Sequence, residues 1–256
     1  MSEVPVPFDR FDLTGKVALV TGGSRGLGRE MVLAFAQAGA DVVITSRKSD
    51  ACEQLAREVT ESTGRKALAH GCHVGRWDEI DGLLEAAYGH FGRVDVLVNN
   101  AGMSLLYDEP ADVTEKMWDS VVGLNLKGPF RLCALVGRRM AEQGGGSIIN
   151  VSSTGSIRPM PAILPYAAAK AGLNAITEGF AHAFGPSVRV NCLMAGPFYT
   201  DISKAWDMEH TEKELQRHAL RRGGRPEEIV GAALFLASDA SSYTTGAILR
   251  ADGGIP

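Results

Sequence analysis

Cysteine is scarce in this chain and never paired. Its four cysteines, Cys52, Cys72, Cys133 and Cys192, lie far apart, with no Cys-x-x-Cys and no histidine at zinc-ligand spacing. That excludes a disulfide framework or a zinc centre and predicts reduced thiols without a metal site. No apolar run reaches the length of a membrane span, and residues 1–12 mix Glu3, Asp9, Arg10 and Asp12 with prolines where a secretory signal would be apolar. A strong charge of one sign is missing too. The net charge of −4 is spread along the chain, leaving no basic stripe for nucleic acid and no polybasic segment for a membrane. These absences predict a cytoplasmic protein whose partner is a small molecule. No repeat or linker divides the 256 residues, so a leader over 1–12 and a single domain over 13–256 are expected.

What the chain does have is alternation. Short apolar runs at Val17 to Val20, Val42 to Thr45, Val94 to Val98, Ile148 to Val151 and Val188 to Leu193 are separated by segments of helical period. This is the pattern of βαβ units, and it predicts an α/β fold with a mostly parallel sheet. After the first run, Leu27, Met31, Ala34, Phe35 and Ala38 share one helical face, and Gly39 follows at the place of a C-terminal cap. Near the end, Pro226, Glu227 and Glu228 open a helix with an apolar stripe of Ile229, Ala233 and Leu236, and a last strand covers Ala247 to Ala251.

Between the first strand and helix lies Thr21-Gly22-Gly23-Ser24-Arg25-Gly26-Leu27-Gly28. Glycines there let backbone approach a pyrophosphate, and the helix that follows presents free N–H groups. By itself the loop could equally be a glycine-rich turn; a strand before it and a helix after it favour a dinucleotide. The second strand then bears on which one. NAD binding wants a carboxylate about 20 residues past the loop, and here Thr45-Ser46-Arg47 supplies none. Arg47 and Arg25 could instead pair with a 2′-phosphate, although both could also be solvated surface charges. The expectation is NADP(H) in preference, with NAD(H) possible.

Tyr166 and Lys170 stand four residues apart across small, helix-favouring residues, which places both on one helical face. A free phenol titrates near ~10, and a neighbouring ammonium lowers that value. Tyr166 could then give a proton to a carbonyl oxygen as hydride reaches its carbon, with Ser153 bonded to the same oxygen. Tyr-x-x-x-Lys is a weak signal alone, so the surroundings must carry the specificity.

Those surroundings resemble the short-chain dehydrogenase/reductase family from Leu13 to Gly254, on the 3-oxoacyl reductase-like and gluconate 5-dehydrogenase-like side. Besides the glycine loop there are Asn99-Asn100-Ala101-Gly102, Asn125 within Leu124-Asn125-Leu126-Lys127-Gly128, and Ile149-Asn150-Val151-Ser152-Ser153, in the family's order. Ser242-Tyr243-Thr244-Thr245-Gly246 and Asp252-Gly253-Gly254 match its closing strand. The resemblance implies a single-domain Rossmann-type, doubly wound sheet of seven strands with helices on both faces. It implies a catalytic tetrad of Asn125, Ser153, Tyr166 and Lys170, with Lys170 also gripping the nicotinamide ribose. It further implies cofactor contacts from Gly22, Ser24, Arg25, Gly26, Leu27, Gly28, Ser46, Arg47, His73, Val74, Asn100, Gly102, Gly196 and Thr200, and a homotetramer.

Two positions depart from the family. His73-Val74 stands where Asp-Val commonly contacts adenine, which removes an acceptor for the adenine amino group. Ala195-Gly196-Pro197 reverses the usual Pro-Gly, so the loop beyond it is expected to take a different shape. A substrate loop around 197–224 is expected. Met103, Leu105, Ile157, Met160, Ile163, Leu164, Phe198, Tyr199, Trp206 and Met208 could line a pocket for an apolar carbonyl or alcohol substrate, or pack against the core or a neighbouring subunit; Arg158 could meet an anionic one. Two other classes compete with the enzyme. A non-catalytic dinucleotide sensor has no need of a phenol at this register, and a methyltransferase leaves the Tyr166 and Lys170 helix unexplained.

Overall fold

The computed structural model describes residues 7–200, 203 and 208–256. In chain order the elements are β1 Val17–Thr21, α1 Gly26–Gln37, β2 Asp41–Ser46, α2 Ser49–Thr63, β3 Ala67–Gly71, α3 Glu79–Phe91 and β4 Val96–Asn99. There follow α4 Glu115–Val122, α5 Gly128–Glu142, β5 Gly146–Ser153, α6 Leu164–Phe184, β6 Val188–Ala195, α7 Met208–Leu215, α8 Val230–Ala237 and β7 Ile248–Ala251. The seven strands make one sheet in the order β3-β2-β1-β4-β5-β6-β7, and every neighbouring pair is parallel. Because β1 pairs with both β2 and β4, winding reverses there, and a crevice opens beyond the carboxyl ends of these strands.

Helices cover both faces, which is why the central strands are apolar throughout instead of alternating. On one face Ala18, Val20, Val42 and Ile44 pack with Met31 and Phe35 of α1, Leu55 and Val59 of α2, and Ala233 and Leu236 of α8. On the other, Val17, Leu19, Val43 and Leu97 meet Ile80 and Leu83 of α3, Leu132 and Val136 of α5, and Ala181 of α6. Fully burying one such aliphatic side chain contributes roughly 1.5–3 kcal/mol. Breaking this layer at Phe35 would be among the costlier single changes, since it is wholly buried.

The expected α1 stripe is present, and Gly39 follows the helix with φ +98°. Pro226 opens a 3-10 turn, Pro226–Ile229, that runs into α8, so the late helix starts as a tighter turn than its pattern suggests. β3 has no apolar run because it is an edge strand, half-buried at Ala67 to His70 and exposed at Gly71. β4 begins at Val96, not Val94: Asp95 turns its carboxylate onto the Val17 N–H (2.9 Å) and the Arg93 guanidinium. Pro7–Phe11 forms a 3-10 turn before Leu13 enters the core, whereas the first six residues of the expected leader lie outside the described residues. Among the described residues no helix is long and apolar enough to cross a membrane.

Candidate active site

At the end of β1 the chain turns through Gly22 (φ +63°) and Gly26 (φ +55°), a left-handed geometry open to glycine at little cost. Gly28, in the first turn of α1, sits against the loop itself. A methyl group there would overlap the Gly22 carbonyl and lie 2.6 Å from Asn100 Nδ2. Asn100 braces this arrangement from just past β4, its Nδ2 donating to Thr21 O (2.9 Å) and Gly22 O (3.2 Å). Thr21 Oγ1 accepts from the Asn100 and Ala101 N–H groups (3.0 Å each) and donates to Val98 O. The Asn100 amide thus holds the loop. The first N–H groups of α1 have no side-chain cap, as an anion site requires.

Ser24 Oγ bonds Ser46 Oγ (3.0 Å), fastening the loop to the end of β2. Arg25 and Arg47 flank this contact; both are exposed, and neither has an ion-pair partner among the described residues. Leu27 packs on the core of α1. At His73 the main-chain N–H donates to Glu79 Oε2 (2.7 Å) and Nδ1 accepts from the Gly75 N–H (3.2 Å). One edge of the imidazole therefore serves its own turn. Val74 is buried, its carbonyl pressed against Gly128.

β5 delivers Ser153 and α6 delivers Tyr166 and Lys170 to the same end of the sheet. Pro165 in the first turn suits the start of α6. A methyl group on Gly155 would lie 3.4 Å from Ile163 Cδ1, 3.5 Å from Ser153 Oγ and 3.7 Å from Tyr166 Cε1, so these three side chains surround one point. Burial raises the Tyr166 phenol above its usual value, while its hydrogen bond with Ser153 acts the other way. Lys170 is buried, with Nζ donating to Val151 O (2.7 Å) and lying 5.7 Å from the Tyr166 ring centre. Burial pulls its ammonium down to about 8. The opposing influence is Cys192, whose own thiol burial pushes up to about 11.

Asn125 sits in a π-helical turn, Gly123–Lys127, between α4 and α5. Its Nδ2 donates to Val121 O and Met103 O (2.8 Å each), which satisfies a carbonyl near the widened turn. Its Oδ1 is buried without a hydrogen-bond partner among the described residues. A methyl group on Gly102 would lie 2.8 Å from that oxygen and 3.6 Å from Lys170 Nζ, so both converge on the Gly102 backbone.

Beyond β6, Gly196 donates to Ala251 O (3.0 Å) and lies against Asp252, where a methyl group would come within 2.6 Å of Cα. Phe198 and Gly224 form a parallel bridge, and Tyr199 lays its ring over Gly223. Thr200 then crosses to the glycine loop, 3.6 Å from where a Gly26 methyl would stand. Of the candidate lining, Leu105, Ile157, Met160, Leu164 and Tyr199 are exposed, whereas Ile163 and Phe198 are buried. Trp206 and the side chain of Met208 lie outside the described residues. Sequence reasoning missed Thr21 as the brace of the loop, and it missed Tyr107, whose Oη accepts the Leu164 N–H (2.7 Å) at the start of α6. A buried hydroxyl ending an apolar run signals the first; nothing local signals the second.

With this geometry in view, a family model described as enoyl-(acyl carrier protein) reductase matches residues 22–256. The chain belongs to the short-chain dehydrogenase/reductase family. A 3-oxoacyl-[acyl-carrier-protein] reductase from Chlamydia trachomatis is 38% identical over 247 residues, covering 95% of this chain and 98% of that relative. Among solved structures, a 7α-hydroxysteroid dehydrogenase complexed with NADH and 7-oxo glycochenodeoxycholic acid superposes with TM-score 0.92 at 34% identity, covering 96% of each chain. A gluconate 5-dehydrogenase from Burkholderia cenocepacia, in complex with NADP and tartrate, gives TM-score 0.92 at 32% identity, covering 98% of each chain. As a short-chain dehydrogenase/reductase, this protein is a nicotinamide-dependent oxidoreductase acting on C=O and CH–OH groups.

Proposed function

We propose that the protein interconverts a ketone and a secondary alcohol with NADP(H), using Tyr166 as acid and base. The carrying observation is the convergence of Ser153, Tyr166 and Lys170, with the unpartnered Asn125 Oδ1, beside a glycine loop closed too tightly for any other residue at Gly28. The residues suit a dinucleotide. The uncapped N-terminus of α1 fits a pyrophosphate, and the unpaired Arg25 and Arg47 fit a 2′-phosphate where an NAD site would carry an acid. Both NADP and NADH occur in the relatives' structures, so it is these two arginines that favour NADP(H) over NAD(H) here.

The nicotinamide, when bound, supplies or takes up the hydride. Tyr166 gives its hydroxyl proton to the carbonyl oxygen in reduction and receives it back in oxidation, while Ser153 donates a hydrogen bond to that oxygen. Because burial alone disfavours a phenolate, a positive neighbour is needed, and Lys170 supplies it when protonated. A Lys170 value of about 8 lets the ammonium exchange a proton near neutrality, and the unpartnered Asn125 Oδ1 faces the same Gly102 backbone. Alcohol oxidation then rises with pH up to about 8, where Lys170 begins to lose the charge that supports the phenolate, and carbonyl reduction falls over the same range. The same reading has one catalytic domain over 13–256 in a cytoplasmic homotetramer, for which exposed Trp118 on α4 and Phe130 on α5 supply apolar surface; light scattering tests the assembly.

The test is initial-rate consumption of NADPH and, separately, NADH over a panel of 3-oxoacyl thioesters, keto-sugar acids, steroids and aromatic ketones. Turnover favouring NADPH is expected. Turnover with NADH alone would reverse the cofactor assignment while leaving the catalytic group in place.

A further inference from the structure

The segment between Ser153 and Tyr166 leaves the catalytic group and comes back to it. Its outgoing end is the turn Thr154–Ser156, and its returning end, Pro161–Ile163, sets Ile163 beside the acid and base. Ile157, Met160 and Leu164 stay exposed on this excursion, with Leu106 on the loop after β4 and Tyr199 on the loop after β6 exposed at the same end of the sheet. The apolar character begins at the reacting atoms and continues outward.

Arg158 is the one charged residue of that excursion, and it is engaged. Its Nε donates to Pro256 O (2.9 Å) and its Nη1 to Ile157 O (3.3 Å). The segment it holds is fixed at further points. Arg250 Nη2 donates to Ile255 O (3.1 Å), and the carbonyls of Gly253 and Gly254 accept from the Leu220 and Ala219 N–H groups. Arg158 thus clasps the excursion after β5 to the strap over 252–256, and the strap is in turn tied to the returning limb after α7 by its own backbone bonds. Arg222, Arg225 and Arg250 on this side are paired with Glu228, Glu227 and Asp252. Arg221, left-handed at φ +52° and exposed, has no carboxylate partner among the described residues and serves as a control.

We propose that the site selects a bulky, uncharged ketone or secondary alcohol with apolar flanks over a keto acid, and that Arg158 is a specificity residue acting through the strap instead of reading a substrate carboxylate. This rests on the oxidoreductase reading above. A carboxylate brought among these side chains would lose hydration and, among the described residues of the excursion, would meet only a guanidinium whose Nε and Nη1 already serve main-chain carbonyls, whereas an apolar flank would bury surface favourably.

The experiment compares kcat and KM with NADPH for a bicyclic or aryl ketone and for a keto-sugar acid of similar size, in wild type, Arg158→Ala, Arg158→Lys and Arg221→Gly. The uncharged ketone should lead in kcat/KM by at least about tenfold, the scale on which apolar pockets discriminate. Arg158→Ala should raise KM for the uncharged ketone severalfold with kcat held, because the strap loosens while the reacting atoms are untouched. Arg158→Lys should recover part of that loss. Preference for the keto acid, or loss of keto-acid turnover alone in Arg158→Ala or Arg221→Gly, would overturn the inference and leave the oxidoreductase reading standing. Failure to reduce either class, with NADPH still bound, would remove the oxidoreductase reading and the inference together.

Discussion

The two halves of the crevice are built by different means. Beyond β1, β2 and β4 backbone meets backbone: Gly28 lies on the Gly22 carbonyl, Asn100 and Thr21 tie strand ends to the loop, and at Gly28 there is no room for one more carbon. Beyond β5 and β6 side chains do the shaping. Ile163, Tyr199 and Arg158 define surfaces, and apolar groups stay exposed around them. A rigid half suits a cofactor shared by many enzymes, and an adaptable half suits a substrate that differs between them.

The sharpest break of this contrast comes from adding one carbon to each half. Gly28→Ala forces its methyl into the Gly22 carbonyl, so nucleotide binding should be lost and stability should fall by about 3 kcal/mol, read by NADPH titration and urea unfolding. Gly155→Ala meets its neighbours at ordinary contact distances of 3.4–3.7 Å and should fold and bind NADPH normally while losing kcat/KM. Equal damage from both would erase the distinction.

Lys170 lies at the boundary between the halves. Its folded value of about 8 is below the ordinary 10.5, so between those pH values the unfolded chain binds more protons and stability rises with pH. Lys170→Met should flatten that rise by up to about 3 kcal/mol in unfolding experiments from pH 7 to 10.5 and should abolish turnover. An unchanged pH dependence would mean that Lys170 is not desolvated.

On the cofactor half, Arg25→Ala and Arg47→Ala should each weaken NADPH binding by about tenfold, the effect of losing one charge-assisted contact, and leave NADH binding unchanged. Parallel loss for both nucleotides would assign the arginines a different role. The smallest effect is expected at Tyr107, which joins the loop after β4 to the start of α6. Tyr107→Phe removes one acceptor from the Leu164 N–H and should cost about 1 kcal/mol, visible as a lower Tm.

The same contrast explains what could be read in the sequence. Strands buried on both faces show as apolar runs, and the glycine loop shows because steric need dictates residue type at fixed spacing. Ser153, Tyr166 and Lys170 were legible because a strand end and one helical turn bring them together. β3 was not, since an edge strand of Ala-Leu-Ala-His-Gly carries no such pressure. The clasp of Arg158 on Pro256 and the Tyr107 contact join residues 98 and 57 positions apart, and no local pattern encodes them. His73 and Asn100 illustrate a third case: the residues were visible, but their engagement with Gly75 and with the glycine loop emerges only from packing.

The proposed chemistry rests on Tyr166 as the group that moves the proton. Single-turnover reduction of a ketone by NADPH, measured for wild type and Tyr166→Phe alongside NADPH binding by fluorescence, addresses that directly. The expected result is unchanged NADPH affinity with a rate lower by a factor of about 10²–10⁴. A Tyr166→Phe protein that binds NADPH and reduces the ketone at the wild-type rate would contradict it.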